Sequence, residues 1–268
     1  MITSASNEKI KLVRALQAQR RAREKEKLFV LEGVRLLEEA LHAEAAVRLI
    51  LHTDTLDARG RAVINQLARL GATVEAVTPA VMAAASADQT PPGLLAVAPF
   101  ASIAAPAPGD LSFALVLDRI GDPGNLGTLL RTADAAGVQS VFLAPGTVDA
   151  YNPKVVRAAM GAHFHLPIVS ATWAELGKHL EGLEAWLADA REGVPYPKVN
   201  WRGPSALLIG SEAEGPSPEA LQFTQRRVCI PMPGRAESLN AAVAAGILMF
   251  EAVRQRRANP SSHSASSP

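Results

Sequence analysis

Three junctions between apolar runs and helical patterns, all in the second half of the chain, carry polar side chains that could do chemistry. In the first, an apolar stretch ending at Leu117 runs into Asp122-Pro123-Gly124-Asn125-Leu126-Gly127 and on to Arg131. The spacing predicts a helix capped by Asn125, with Gly127 and Arg131 one turn apart on a shared face. There a guanidinium can reach over open space to a ligand, or pair with Asp134 as a surface ion pair. In the second, an apolar run enters Ile209-Gly210-Ser211-Glu212 and a turn, before a helix that Ser217 can cap. Gly210 permits close backbone approach and Glu212 sets a carboxylate at the rim; an ordinary strand-to-helix turn is the plain alternative. In the third, Ile230-Pro231-Met232 leads through a Pro/Gly loop to Ser238-Leu239-Asn240 and a helix of small residues. Ser238 is expected to cap it, with Leu239 and Asn240 in a first turn whose free amides can hold an anion. The small residues would let another backbone come unusually close, or simply pack a tight core.

The elements that must position these groups follow from periodicity. Strands are expected at 113–117, 140–143, 166–169, 185–188, 206–209 and 228–230, with helical patterns between most of them. That alternation predicts a parallel sheet covered by helices on both faces, with ligands gathered beyond the strands' carboxyl ends. A last helix is expected over 239–257. Before this region stands a smaller α/β alternation: strands at 28–31, 47–51, 72–77 and 93–100, with helices over 34–43 and 57–70. The Pro/Ala-rich stretch 101–111 reads as a linker. The expected domains are therefore 1–100, 112–257 and a disordered Ser/Pro-rich tail at 258–268.

Net charge carries no message, since 27 Lys and Arg stand against 26 Asp and Glu. Its distribution does: eight basic residues from Lys9 to Lys27 (Lys9, Lys11, Arg14, Arg20, Arg21, Arg23, Lys25, Lys27) face two acidic ones, a composition suited to a polyanion or to a solvated helix face. Cys229 is the only cysteine, which excludes an intrachain disulfide and a cysteine-rich zinc site, and it reads as a small core residue. His163 and His165 would share a strand face, but nothing nearby completes a metal-ligand set, so no metal is expected. The opening residues lack a signal peptide's apolar core, and the longest apolar run, 241–250, is too short to span a bilayer. A cytoplasmic protein without membrane contact is expected.

Taken together and in this order, the three junctions resemble the motifs of the SpoU (TrmH-like) branch of the SPOUT methyltransferases. The resemblance covers about 113–254, and the N-terminal stretch is similar to the α/β/α ribosomal-protein-like substrate-binding domain often fused to this branch. It implies a C-terminal trefoil-knot domain, a homodimer, and methylation of a ribose 2′-hydroxyl in structured RNA with S-adenosylmethionine as donor. Carried over, Gly210, Ile230, Pro231 and Leu239 are cofactor-binding positions. Arg131, Asn125, Glu212, Ser238 and Asn240 are the catalytic set. The family role of Arg131 is general base; because a guanidinium stays protonated in proteins, a bidentate hold on phosphate and on the developing alkoxide stays open beside it.

Ribosomal RNA is favoured as substrate, with transfer RNA methylation and a non-catalytic RNA-binding assembly factor as the alternatives. A nicotinamide oxidoreductase is excluded by the absence of Gly-x-Gly-x-x-Gly after a strand, and no phosphate-binding Gly-x-x-x-x-Gly-Lys occurs.

Overall fold

A good cap and a buried stripe decide the first helix. Asn7 accepts from the Lys9 amide, and α1 (Glu8–Ala18) buries Ile10, Val13 and Leu16 at helical spacing. The basic stretch is two helices rather than one, because Gln19 adopts an extended backbone before α2 (Arg20–Glu26) begins. There follow β1 (Leu28–Glu32), α3 (Val34–His42), β2 (Leu49–His52), α4 (Ala58–Arg69), β3 (Thr73–Ala76), α5 (Pro79–Ala85) and β4 (Leu94–Pro99). The computed structural model describes residues 1–211 and 214–258. It divides into two units, Met1–Ile103 with Asp149–His165, and Ala104–Val148 with the chain from Leu166 onward.

In the first unit the sheet order is β1-β4-β2-β3, with β4 antiparallel to both its neighbours and β2 parallel to β3. Alternation sorts the strand residues between two cores. Phe29, Leu31, Ile50, Leu94 and Ala96 pack with Leu37 of α3 and Leu67 of α4. Leu28, Val30, Leu51, Leu95 and Val97 pack with α1 and with Val81 and Met82 of α5. The result is the helix–sheet–helix sandwich expected from the resemblance.

One basic residue leaves the expected polyanion-facing set. Arg23 is 3% exposed, pairs with Asp149 at 2.7 Å and donates from Nη1 to the Leu16 carbonyl at 2.6 Å; it is a structural cation. Lys11 and Arg20 pair with Glu8 and Glu24 along their own helices, both at 2.7 Å. Arg14 and Arg21 stay exposed.

His163 belongs to this unit and lies in a short 3-10 turn rather than on a strand. Its Nε2 donates to the Ala150 carbonyl at 2.7 Å. Burial pushes its pKa down from 6.5 to about 4, against the opposing pull of that bond and of Asp149. The unfolded chain therefore takes up a proton below pH 6.5 that the folded one refuses until about pH 4. Stability should fall through that window by as much as about 1.4 kcal/mol per pH unit. Urea midpoints measured from pH 7 down to 4.5 should drop more steeply for the wild type than for His163→Phe; parallel curves would mean the imidazole charges without penalty.

The second unit opens with β5 (Phe113–Leu117), α6 (Pro123–Ala135) and β6 (Ser140–Leu143). Next α7 (Pro153–Ala159) packs in the first unit, where Val156 joins the core. The second unit resumes with β7 (Ile168–Ser170), α8 (Trp173–His179), β8 (Glu184–Ala188), β9 (Val194–Pro195), β10 (Ser205–Ile209), α9 (Pro218–Phe223), β11 (Arg227–Cys229) and α10 (Ala241–Arg257). Among the described residues the sheet order is β7-β6-β5-β10-β8-β11-β9, parallel throughout. A late strand, β10, thus lies between β5 and β8, both made before it. Cys229 is half-buried rather than a core residue, and its thiol donates to the Gly193 carbonyl at 3.4 Å beside the sheet edge. Of the expected tail, only Ala258 falls within the described residues.

The far end of α10 is tied down firmly. The Gln255 amide donates to Val199 and accepts from the Trp201 N–H, at 3.0 and 3.1 Å. Arg256 donates to the Trp201 carbonyl and the Ser205 hydroxyl, both at 2.8 Å, and lies 4.3 Å from the Phe113 ring centroid. These bonds fix the helix whose other end meets the site.

Candidate active site

The carboxyl ends of β5, β8, β10 and β11 meet at one edge of the sheet, where the site is built. Beyond β5, Asp122 caps α6 by accepting from the Asn125 amide at 2.8 Å. Asn125, the expected cap, therefore sits inside the first turn. The reason lies in Pro123, whose fixed φ and missing N–H suit the first helical position and leave the residue before it as cap. A similar shift occurs at α10: Asn240, not Ser238, is the cap, accepting from the amides of Ala242 and Val243 at 2.9 and 3.3 Å. Ser238 and Leu239 stay in the preceding loop. Serine and asparagine cap about equally well, so residue type could not choose between them.

Asn240 uses the other end of its amide to donate to Asn125 Oδ1 at 2.9 Å. This bond joins the first turns of α6 and α10, elements from the first and third junctions that lie 115 residues apart in the chain. Arg131, farther along α6, is exposed, and no hydrogen bond or ion pair to it is found among the described residues. Gly127 is buried rather than open. The hydroxyls of Thr128 and Thr132 are turned back onto helix carbonyls, at 2.8 and 2.7 Å, so Arg131 is the free cationic group of that face among the described residues. Glu212 lies outside the described residues.

Beside this junction is a cavity of about 470 Å³, within the usual size of small-molecule sites. Gly210, Ile230 and Leu239 line it, and so does Ser238; Pro231 is exposed and does not. Ile209, Val228, Met232 and Leu248 make its walls largely apolar. Gly210 is required by close packing: a Cβ there would stand 2.9 Å from both Cα and N of Pro216. Asn125, Arg131 and Asn240 are outside the lining, yet Asn240 stands between Leu239 and Ala241, which both belong to it.

The sequence reading missed Asp189 and Arg191, which follow β8 and line the cavity. Asp189 Oδ1 accepts from the amides of Arg191 and Glu192 at 2.8 and 3.1 Å. Their position just past a strand's carboxyl end was the available signal. With Glu214 they give a mostly apolar cavity three charged groups, a donor set that fits a ligand with a flat apolar part, hydroxyls and a zwitterionic tail. Among the described residues no group of His, Cys, Asp or Glu is placed to hold a metal ion, and no helix is long and apolar enough to cross a membrane.

Residues 112–250 match the SpoU rRNA Methylase family, and residues 7–96 the MRM3-like substrate binding domain. Over 253 residues the chain is 35% identical to the 23S rRNA (guanosine(2553)-2'-O)-methyltransferase RlmP of Bacillus subtilis, covering 93% of this chain and 97% of that protein. Among solved structures, an AdoMet-bound rRNA methyltransferase from Sinorhizobium meliloti is similar with a TM-score of 0.83 and 29% identity, covering 94% of this chain and 97% of the other. The SpoU methyltransferase AviRb from Streptomyces viridochromogenes, in complex with AdoMet, gives 0.83 and 30%, with coverage of 94% and 98%.

Proposed function

The chain belongs to the SpoU family and is an S-adenosylmethionine-dependent RNA 2′-O-methyltransferase; from that premise we propose that it methylates ribosomal RNA at the edge where α6 and α10 meet. The observation that carries this placement is the Asn125–Asn240 hydrogen bond, which joins the helix bearing Arg131 to the rim of the cavity. Relatives similar along nearly their whole length are named for ribosomal RNA, which favours that substrate over transfer RNA.

In this reading the cavity takes the cofactor. Ile230, Leu239 and the backbone at Gly210 hold its adenine side, while Asp189, Glu214 and Arg191 meet its hydroxyls and charged tail. Bound there, it supplies a methyl group activated by its sulfonium. Arg131 holds the ribose and its flanking phosphate in line and stabilises the negative charge that develops on the 2′-oxygen, work that suits a forked, permanently charged group. Asn125 and Asn240 keep the two helices in register, and Ser238, with Glu212, orders the loops around the ribose. Arg14 and Arg21 on the N-terminal unit give phosphate contacts that position RNA without reading its sequence.

The test is transfer of labelled methyl to separated ribosomal and transfer RNA that lack the modification. Label should appear in ribosomal RNA as 2′-O-methylnucleoside and vanish in Arg131→Ala, and Arg14→Glu with Arg21→Glu should raise the KM for RNA. Label in transfer RNA would refute the substrate assignment. Cofactor binding without transfer to any RNA would support the non-catalytic alternative.

A homodimer is part of this proposal. Val243 and Phe250, seven residues apart on α10, are 52% and 48% exposed, an apolar stripe that a second copy would cover. Light scattering should give twice the chain mass, and Phe250→Glu should shift it toward the monomer; a monomeric wild type would rule the dimer out.

A further inference from the structure

Residues 210–211 and 214–216 line one side of the cavity, and both limbs of this wall are held by a residue to which the three motifs give no role. Asp118 is fully buried just past β5. Its backbone N–H donates to the Ile209 carbonyl at 2.9 Å, at the foot of the outgoing limb. Its Oδ2 accepts from the Ser217 amide at 2.7 Å, at the foot of the returning limb. Burying a carboxylate is unfavourable unless hydrogen bonds compensate. Oδ1 has no partner among the described residues, so the Ser217 amide is the contact that this buried group serves.

The next residue adds a third hold. Arg119 takes the left-handed conformation at φ 56°, uncommon for a long side chain, and its Nη2 meets Glu214 Oε2 at 3.0 Å. Gly146 leaves room for its stem: a Cβ there would stand 3.0 Å from Arg119 Cγ. Two backbone positions are thus arranged so that Arg119 reaches the same wall.

We propose that Asp118, assisted by Arg119, is a positioning residue for cofactor binding, stapling both feet of the wall to β5 on the reading that this cavity takes the cofactor. Asp118→Ala should raise the KM for S-adenosylmethionine about tenfold or more, the scale of a lost bond to a charged group, with kcat at saturating cofactor and the KM for RNA retained. Asp118→Asn keeps an oxygen toward the Ser217 amide and should recover most of the loss. Arg119→Ala should cost only a few-fold, because its partner Glu214 is exposed and the half-buried pair is screened by solvent. A merely structural role would instead lower the active fraction, and so kcat, with KM unmoved.

A second variant leaves Asp118 untouched. Ser217→Pro deletes the donating N–H at a residue whose φ of −67° a proline already fits, and Ser217→Ala controls for the lost helix cap. Calorimetric titration of the full chain with S-adenosylhomocysteine should show weakened binding for Ser217→Pro beyond that of Ser217→Ala. Unchanged affinity in Ser217→Pro, or an Asp118→Asn variant as impaired as alanine, overturns the staple. Wild-type affinity in Gly210→Val would instead refute the placement of the cofactor in this cavity.

Discussion

Replacing Arg131 with alanine is expected to lower the rate of methyl transfer by roughly 10²–10³-fold, the range seen when one preorganised charge-stabilising donor is removed, with cofactor affinity unchanged. The split follows from position: Arg131 is outside the cavity lining, on the exposed face of α6. Arg131→Lys discriminates between roles. Lysine keeps the charge but presents a compact ammonium instead of a planar fork, so it should remain severely impaired if phosphate and ribose oxygen are held together. Single-turnover rates at saturating RNA and cofactor would measure this, alongside cofactor titration by calorimetry. Near-normal turnover in Arg131→Lys would leave a point charge as the whole requirement.

The second large effect is expected at Gly210. A Cβ there would stand 2.9 Å from Cα and N of Pro216 and 3.2 Å from the Gly215 carbonyl carbon. These are backbone atoms, so no side-chain rotation relieves the contact and the wall must move. Gly210→Val should therefore weaken cofactor binding by about 100-fold, matching an overpacking cost of about 1–3 kcal/mol, while methyl transfer survives at high cofactor concentration. Gly246 is the control. The small-residue run of α10 invites the expectation of a backbone approach too close for a methyl, yet a Cβ at 246 would meet Thr132 Cγ2 at 3.6 Å, an ordinary contact. Gly246→Ala should be tolerated and should stabilise the helix by up to about 1 kcal/mol. Equal damage from both substitutions would mean that close approach at Gly210 is not what the cavity depends on.

What sequence made visible, and what it hid, divides along physical lines. The strands at 113–117 and 140–143 are fully buried and, Ser140 apart, continuous in apolar residues, and they stand where expected. Ser217 caps α9 as read, accepting from the Ala220 amide at 3.1 Å. α5 was missed because its seven residues, led by Pro79 and rich in alanine, are too short to display a period. β9, with two residues, owes its existence to pairing with β11. The burial of Arg23 could not be foreseen, since its partner Asp149 is 126 residues away. Of the cavity's lining, motif order singles out Gly210, Ile230, Ser238 and Leu239; Asp189 and Arg191, recruited by the geometry of β8's end, carry no such signal.

The place of β10 also bears on how the chain is made. A ribosome delivers residues in order, so β5, β6 and β7 can zip together as a nascent three-strand ledge. β8 emerges next but cannot join that ledge, because its seat lies one strand beyond a vacancy beside β5. Only when residues 205–209 arrive is the gap of about 4.8 Å on either side bridged. The cavity is lined from Ala188 through Leu248, entirely by residues that leave the exit tunnel after β5, β6 and β7. On the reading that this cavity takes the methyl donor, competence to bind it is therefore withheld until β10 and the start of α10 have been made, and a chain released before β10 would carry the first unit's exposed cations without that cavity.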